Sequence, residues 1–371
     1  MHRIRTYSGI ALLLSLMIVA SCTHDPPTGG EVFMTTPYEI DRPYGMPPVP
    51  EPAEALTVEG VRLGRNLFYD PILSADSTLS CGGCHQLPGL VDTDVAFSIG
   101  IDGLPGLRNS MPVFNMIYNP EFGETPEGRP FGGFFWDSRS PTLKDQVLDP
   151  IEDPLEMHHT VLGALASLRA HDEYPTLFYE AFGDSVITPD QLSSALAMFI
   201  NSITSGNTLF DQMNKGDIFW DDDVLDGFIL FNEIEGGDCF HCHGENGGMF
   251  TDYTYRNNGL DSVFNYLDFE DPGLGAISGD TSDYGKFKVP TLRNIALTAP
   301  YMHDGRFATL EEVLDFYSTG VHATPFTDGL MEFADEGGVN LSEEEKQQII
   351  AFLEALTDTE LATKEEYSNP F

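Results

Sequence analysis

Cys81-Gly82-Gly83-Cys84-His85 and Cys239-Phe240-His241-Cys242-His243 repeat one five-residue pattern in the two halves of the chain. We call them the first and second haem boxes, because Cys-x-x-Cys-His is the pattern by which haem c is attached to proteins. The two thiols of such a box bond to the porphyrin edge, and the histidine becomes an axial ligand of the iron. The sequence therefore predicts two covalently bound haem c groups, attached at Cys81, Cys84, Cys239 and Cys242 and ligated by His85 and His243.

Cysteine pairs have two other common uses, which are zinc binding and dithiol redox chemistry. Zinc-binding pairs usually lie close together within one small knuckle, whereas the two boxes lie far apart in the sequence. A thioredoxin-like dithiol needs a strand-helix-strand context, and neither box has one. Both uses stay open as less favoured interpretations.

Residues 1–21 have the pattern of an export signal. Two arginines precede an apolar stretch from Ile10 to Ala20, which is too short to span a membrane as a mature helix. The stretch ends in Val19-Ala20-Ser21-Cys22, which resembles a bacterial lipobox. Cys22 is therefore predicted to carry the lipid anchor of a periplasmic protein, with the outer membrane as the expected site. The alternative is an ordinary secretory signal followed by a chance cysteine.

The chain is strongly acidic, with 59 acidic and 18 basic side chains and a net charge of −41. Nucleic-acid binding is excluded on this ground, because phosphate contacts need basic surfaces. An acidic face would attract a basic soluble partner such as a small cytochrome. The alternative is a solvated surface adapted to salty surroundings.

An internal duplication organises the rest of the chain. Gly64-Arg65-Asn66-Leu67-Phe68 precedes the first haem box and Gly227-Phe228-Ile229-Leu230-Phe231 precedes the second, and both stretches are typical of short amphipathic helices. Each half then ends in a helix opened by a capping box, at Thr188–Gln191 and at Ser342–Glu345. The predicted fold is mainly α, with long loops and little β structure.

This order of helix, haem box, loops and closing helix is typical of a small cytochrome c domain. We therefore expect two cytochrome c-like domains packed together, at 54–214 and 215–360. Residues 22–53, rich in proline, glycine and threonine, are predicted to form a flexible tether. Residues 361–371 are expected to be a C-terminal tail.

Motifs between and after the boxes resemble the bacterial di-haem cytochrome c peroxidase family, which includes the methylamine-utilisation enzyme MauG. The first motif is Phe134-Phe135-Trp136-Asp137-Ser138-Arg139, with Gln146, Pro150 and Glu156 following at the family's spacing. The other motifs are Phe287-Lys288-Val289-Pro290-Thr291-Leu292-Arg293-Asn294 and Thr298-Ala299-Pro300-Tyr301-Met302-His303-Asp304-Gly305. The resemblance covers the chain from Leu56 to Leu356.

The resemblance implies a role for several of these residues. Trp136 would carry electrons between the two haems. Gln146 and Glu156 would lie on the distal side of the first haem, where Glu156 moves a proton during peroxide cleavage. A calcium ion between the domains would be bound by Asn109 and by the carbonyl oxygens of Thr298 and Pro300, which suits a cation that prefers oxygen ligands.

The sequence departs from the family pattern at two positions. Many family members have a histidine ligand in the loop after the first box, where this chain has Ile101. Since isoleucine cannot bind iron, the first haem is predicted to have an open position without reductive activation. On the far side of the second haem the matching residue is Tyr317, as in MauG, with Met302 as the alternative ligand.

The function implied by the resemblance is reduction of hydrogen peroxide to water, with electrons from a small donor such as a cytochrome c or a cupredoxin. One alternative is a MauG-like oxidase that modifies a protein side chain. The other is a di-haem electron carrier without enzymatic activity. The resemblance also implies a homodimer.

Overall fold

The computed structural model describes residues 33–371, and that part of the chain is mainly helical, as the sequence predicts. The predicted export signal and Cys22 lie outside the described residues. Among the described residues, no helix is both long and apolar enough to cross a bilayer. The helices of the first half are α1 Val58–Tyr69, α2 Cys81–Cys84, α3 Leu143–Gln146, α4 Asp149–Glu152, α5 Val161–Ala170, α6 Tyr174–Phe182 and α7 Pro189–Ser202.

In the second half, as in the first, one helix precedes the short helix of the haem box and a longer helix ends the half. Its helices are α8 Leu209–Lys215, α9 Asp222–Asn232, α10 Phe240–His243, α11 Gly275–Ser278, α12 Leu310–Thr319 and α13 Glu343–Glu354. Within residues 33–371 the strands form two antiparallel pairs, β1 Gly123–Glu124 with β2 Pro130–Phe131, and β3 Tyr255–Arg256 with β4 Phe287–Lys288.

A glycine sits at the main helix crossing of each half. In the first half α1 packs against α7, and a β-carbon at Gly64 would lie 1.9 Å from the carbonyl oxygen of Ala195. In the second half α9 packs against α13, and a β-carbon at Gly227 would lie 1.9 Å from the carbonyl oxygen of Gln348. The backbones approach closely because these positions have no side chain.

The two predicted capping boxes are present at the starts of the closing helices. The Thr188 hydroxyl accepts from the Gln191 amide, and the Gln191 side chain accepts from the Thr188 amide. Ser342 and Glu345 make the same reciprocal pair at α13. These bonds satisfy amides that the first helical turn leaves without partners.

Each half has its own hydrophobic core. The first core includes Leu67, Phe68 and Phe199, and the second includes Phe231, Phe250 and Phe352, all of them fully or almost fully buried. Phe231, Phe250 and Phe352 contact one another edge to face, an arrangement that aromatic rings favour. Residues 35–371 form one unit by their contacts, and the domain boundaries given above stay a prediction.

The described part of the predicted tether packs against the rest of the chain. Met46 is completely buried, in a small cluster with Ile117 and Met249. The Tyr38 amide also donates to the Leu56 carbonyl oxygen at 3.0 Å. The structure thus differs from the expectation of free chain here, because one methionine in a proline-rich stretch suffices to fill an apolar gap.

The predicted tail is packed as well. Tyr367 is 5% exposed and belongs to the first core together with Leu361. Its hydroxyl accepts from the Thr204 amide at 3.2 Å and donates to the Ser202 carbonyl oxygen at 3.0 Å. The end of the chain therefore closes the C-terminal end of α7, where helix carbonyls need partners.

We predict that Gly227→Ala lowers the free energy of unfolding by about 1–3 kcal/mol, because the new methyl group would overlap a backbone oxygen that cannot move alone. The measurement is the midpoint of guanidinium-induced unfolding of the haem-loaded protein. Gly106→Ala is the matched control, since the nearest atom to its β-carbon would be the Ser98 carbonyl oxygen at 3.7 Å. Equal midpoints for the two variants would contradict the close crossing.

Candidate haem sites

The first haem box occupies α2 and the residue after it. His85 is half-buried, and this burial lowers the pKa of its ring, so that the ring is neutral at pH 7. His85 Nδ1 lies 3.0 Å from the Leu90 carbonyl oxygen. Because a carbonyl oxygen can only accept, Nδ1 carries the proton and Nε2 keeps its lone pair. This is the tautomer that an iron ligand needs.

The second haem box, at α10, has the same arrangement. His243 Nδ1 lies 3.2 Å from the Phe250 carbonyl oxygen, and burial again lowers the pKa of the ring. A cavity of about 230 Å³ adjoins this box. Its walls include both box cysteines and a largely apolar lining, with Phe231, Leu292, Leu314, Ile349 and Leu353.

The four box cysteines form no disulfide bonds. Burial is the main cause that raises the pKa of Cys84 to about 11 and that of Cys81, Cys239 and Cys242 to about 12. They are therefore neutral at pH 7, unlike the thiolates of dithiol redox sites. Among the described residues no group of three or more His, Cys, Asp or Glu side chains could hold a metal ion, which disfavours zinc. Neutral thiols beside a neutral histidine and an apolar wall fit covalent haem.

Glu156 lies at the first haem box. It belongs to a turn after α4, in which its amide donates to the Asp153 carbonyl oxygen at 3.1 Å. Its carboxylate acts on the thiols of both Cys81 and Cys84 and contributes to their raised pKa. Burial raises the pKa of Glu156 itself to about 7, with Arg139 opposing that rise.

The loop that carries Ile101 packs directly against the Glu156 turn. The Ile101 amide donates to the Glu156 carbonyl oxygen at 3.0 Å. At Gly100 the approach is so close that a β-carbon would lie 2.0 Å from the Leu155 carbonyl oxygen. His158 Nδ1 also pairs with Asp102 at 2.5 Å. The loop in which many relatives have a histidine ligand is thus held beside Glu156 and presents an isoleucine.

Gln146 is the last residue of α3, which begins at the Thr142 cap. It is half-buried and its amide donates to the Thr142 carbonyl oxygen at 3.1 Å. The chain continues through α4 into the turn that holds Glu156, so that both residues lie on one short stretch of linked helices. No contact between their side chains appears among the described residues.

Trp136 connects the two halves. Its ring nitrogen donates to the Asn109 carbonyl oxygen at 2.9 Å, and its own carbonyl oxygen accepts from the Lys288 amide at 2.8 Å. The Trp136 side chain lines the cavity at the second haem box. Trp136 therefore lies at the second haem box and is bonded to both halves of the chain.

Tyr317 and Met302 both line the same cavity. The Asn258 amide donates to the Tyr317 hydroxyl at 3.0 Å and lies 3.7 Å from the Met302 sulfur. Burial raises the pKa of Tyr317 to about 12, an effect that the Asn258 hydrogen bond opposes. The sequence contains both candidates, but nothing in it indicates that Asn258 contacts the two of them.

The residues predicted to bind calcium also lie along this cavity, namely Asn109, Thr298 and Pro300. Asn109 Nδ2 donates to the carbonyl oxygens of Val95 and Ala96. This assignment leaves Oδ1 as the side-chain oxygen that could face a cation. The donor set, an amide oxygen and backbone carbonyls, fits calcium chemistry.

Comparison with known proteins agrees with this geometry. Residues 58–218 match the family model described as di-haem cytochrome c peroxidase. The chain is 32% identical to the cytochrome c551 peroxidase of Nitrosomonas europaea over 83% of each protein. It is 33% identical to the methylamine utilization protein MauG of Methylorubrum extorquens, over 83% of this chain and 81% of that protein.

Among solved structures, a MauG-like protein associated with microbial copper homeostasis superimposes with a TM-score of 0.76. It is 31% identical, and the match covers 90% of this chain and 99% of that one. The sequence motifs and the structural match thus indicate the same family. The chain belongs to the di-haem cytochrome c peroxidase family.

Proposed function

We propose that the protein reduces hydrogen peroxide to water at the first haem site, with electrons that a small external donor delivers to the second. The observation that carries this proposal is the position of Glu156. A half-buried carboxyl group with a pKa of about 7 lies at the first box, next to a loop that offers no iron ligand. Relatives that share most of the chain are named cytochrome c peroxidases.

When bound, the first haem would supply the iron that takes up peroxide and exchanges electrons with it. The chain has to move a proton between the two peroxide oxygens. A carboxylate oxygen of Glu156 can accept the proton from one oxygen and return it to the other. Its pKa of about 7 suits both steps, because the two charge states are similarly populated near neutral pH. Gln146 would hold the substrate by a hydrogen bond.

Electrons would enter at the second site, where His243 and either Tyr317 or Met302 would hold the haem iron. Trp136 would pass them to the first site. With a net charge of −41 the protein favours a basic donor, either a small cytochrome c or a cupredoxin. An electron carrier without enzymatic activity would not need a titratable acid such as Glu156 at the first haem box. We therefore disfavour that alternative.

The remaining features of the proposal rest on sequence. Cys22 would anchor a periplasmic enzyme to a membrane, with the outer membrane as the expected site. Asn109, Thr298 and Pro300 would hold calcium where the two halves meet. A homodimer is implied by the family alone.

A MauG-like oxidation of a protein side chain is the second candidate. Tyr317 favours it, because a phenolate ligand lowers the potential of a haem and stabilises its higher oxidation states. MauG proteins and a MauG-like structure are also among the relatives at about the same identity as the peroxidases.

We predict that Glu156→Gln lowers the rate of peroxide reduction by about 10²–10⁴-fold, because the amide cannot accept a proton. In the unchanged protein the rate should rise as the pH increases through about 7, since only the ionised carboxylate can begin the transfer. The variant should lose this rise. The measurement is stopped-flow consumption of peroxide between about pH 5 and about pH 9. This range includes the pH values at which proteins are usually most stable.

Glu127→Gln serves as the matched control, because Glu127 is an exposed carboxylate on the turn between β1 and β2. It should retain the rate and the pH profile of the unchanged protein. A Glu156→Gln variant as fast as this control would rule out Glu156 as the proton-transfer group.

We predict that Tyr317→Phe shifts the visible spectrum and the midpoint potential of the second haem, because the phenylalanine ring has no oxygen to bind iron. Met302→Leu should leave both nearly unchanged. The measurement is spectroelectrochemistry of the purified haem-loaded variants. The opposite pattern would assign Met302 as the ligand and would weaken the MauG-like candidate.

A further inference from the structure

Lys288 is a buried cation that the proposed mechanism does not use. It lies on β4 and is 5% exposed. Its ammonium group donates to the Gly133 carbonyl oxygen at 2.7 Å and to Asn119 Oδ1 at 3.2 Å. It also lies 5.7 Å from the centre of the Phe134 ring. All of these partners are neutral.

No carboxylate within residues 33–371 forms an ion pair with Lys288. Asp137 is the charged group that acts on it, by raising its pKa. Asp137 is already in contact with Arg108 at 2.6 Å and with Arg139 at 3.5 Å. Asp137 is thus already balanced by these arginines, and burial is the main cause that lowers the pKa of Lys288 to about 7.

The position of Lys288 connects it with the electron route. Its amide donates to the Trp136 carbonyl oxygen at 2.8 Å, and Lys288 is among the residues that line the cavity at the second haem box. Two residues further on, the Pro290 backbone acts on His243 by raising the pKa of its ring. The strand that carries Lys288 thus lies beside both the tryptophan and the second site.

A purely structural role does not account for the charge. The two oxygens that accept from Lys288 could be satisfied by a neutral donor, whereas burying an uncompensated ammonium group costs several kcal/mol. A positive charge in a medium of low polarity acts strongly on nearby redox groups, because little water screens it.

We propose that the buried charge of Lys288 sets the reduction potential of the second haem and of Trp136. A nearby positive charge favours the state with one electron more, so it raises both potentials. When the external donor delivers one electron, the added negative charge also favours uptake of one proton from water at Nζ. The proton leaves again when the electron moves on. This inference rests on the proposed role of the second haem as the electron entry site.

The test compares haem-loaded Lys288→Met and Lys288→Arg with the unchanged protein, by spectroelectrochemical titration at pH 6 and pH 9. Lys288→Met should lower the potential of the second haem at pH 6, where the lysine is charged. At pH 9, where the lysine is neutral, that difference should shrink. Lys288→Arg should keep the high potential at both values, because arginine stays protonated.

Lys286→Met is the matched control. Lys286 lies two residues earlier, and its ammonium group already pairs with Asp283 at 2.9 Å. Its charge is compensated, so the potential of the second haem should be unchanged.

Equal potentials for Lys288→Met and the unchanged protein at pH 6 would overturn the inference. If Lys288→Met fails to retain both haems, the test is the comparison of Lys288→Arg with the unchanged protein. The arginine variant should have a higher potential than the unchanged protein at pH 9, and equal values would overturn the inference. Peroxide turnover does not enter these measurements, so they can fail or succeed independently of the proposed peroxidase chemistry.

Discussion

In each half of this protein, a backbone carbonyl oxygen lies so close to one glycine that the β-carbon of any other residue there would overlap it. Gly64 meets the Ala195 carbonyl oxygen, and Gly227 meets the Gln348 carbonyl oxygen. The helix that precedes a haem box is thereby drawn against the helix that closes the same half. The box follows that helix after a short connection, so the position of each iron ligand depends on this crossing. The internal duplication of the sequence therefore corresponds to a repetition of this contact between two helices.

A second constraint is common to both boxes. Each ligand histidine is held by a carbonyl oxygen a few residues downstream, from Leu90 in one half and from Phe250 in the other. The bond fixes the tautomer as well as the plane of the ring. What differs between the halves is the set of other side chains at each box. The first has a titratable acid at Glu156, whereas the second has Tyr317 and Met302 beside one amide. The same frame therefore supports two different kinds of chemistry.

Much of this was predictable from local sequence, because boxes and helix caps are local features. The haem boxes and the capping boxes at Thr188 and Ser342 are recognised from residues within one turn of each other. The packing of Met46 and Tyr367 was not predictable in this way. Both lie in stretches that read as polar or proline-rich chain, and each contributes one large side chain to a distant core. Their burial depends on the shape of a gap that only the folded chain has.

The burial of Lys288 shows the same limit in electrostatic terms, since it belongs to a recognised motif while nothing local indicates that it is enclosed. Buried cations in this acidic protein differ in how their charge is balanced. Arg293 makes two hydrogen bonds of 2.8 Å with Asp211, and Arg108 lies between two carboxylates. Such pairs fix geometry but produce little net field. Lys288 has only neutral partners in direct contact.

The acidic surface does not cancel this field. Salt at physiological concentration screens charges that lie more than about 8–10 Å apart in solvent, whereas a buried charge is screened far less. The surface charge of the protein therefore bears mainly on which donor approaches. The buried charge of Lys288, in our proposal, acts instead on the reduction potential of the second haem, where the electron enters.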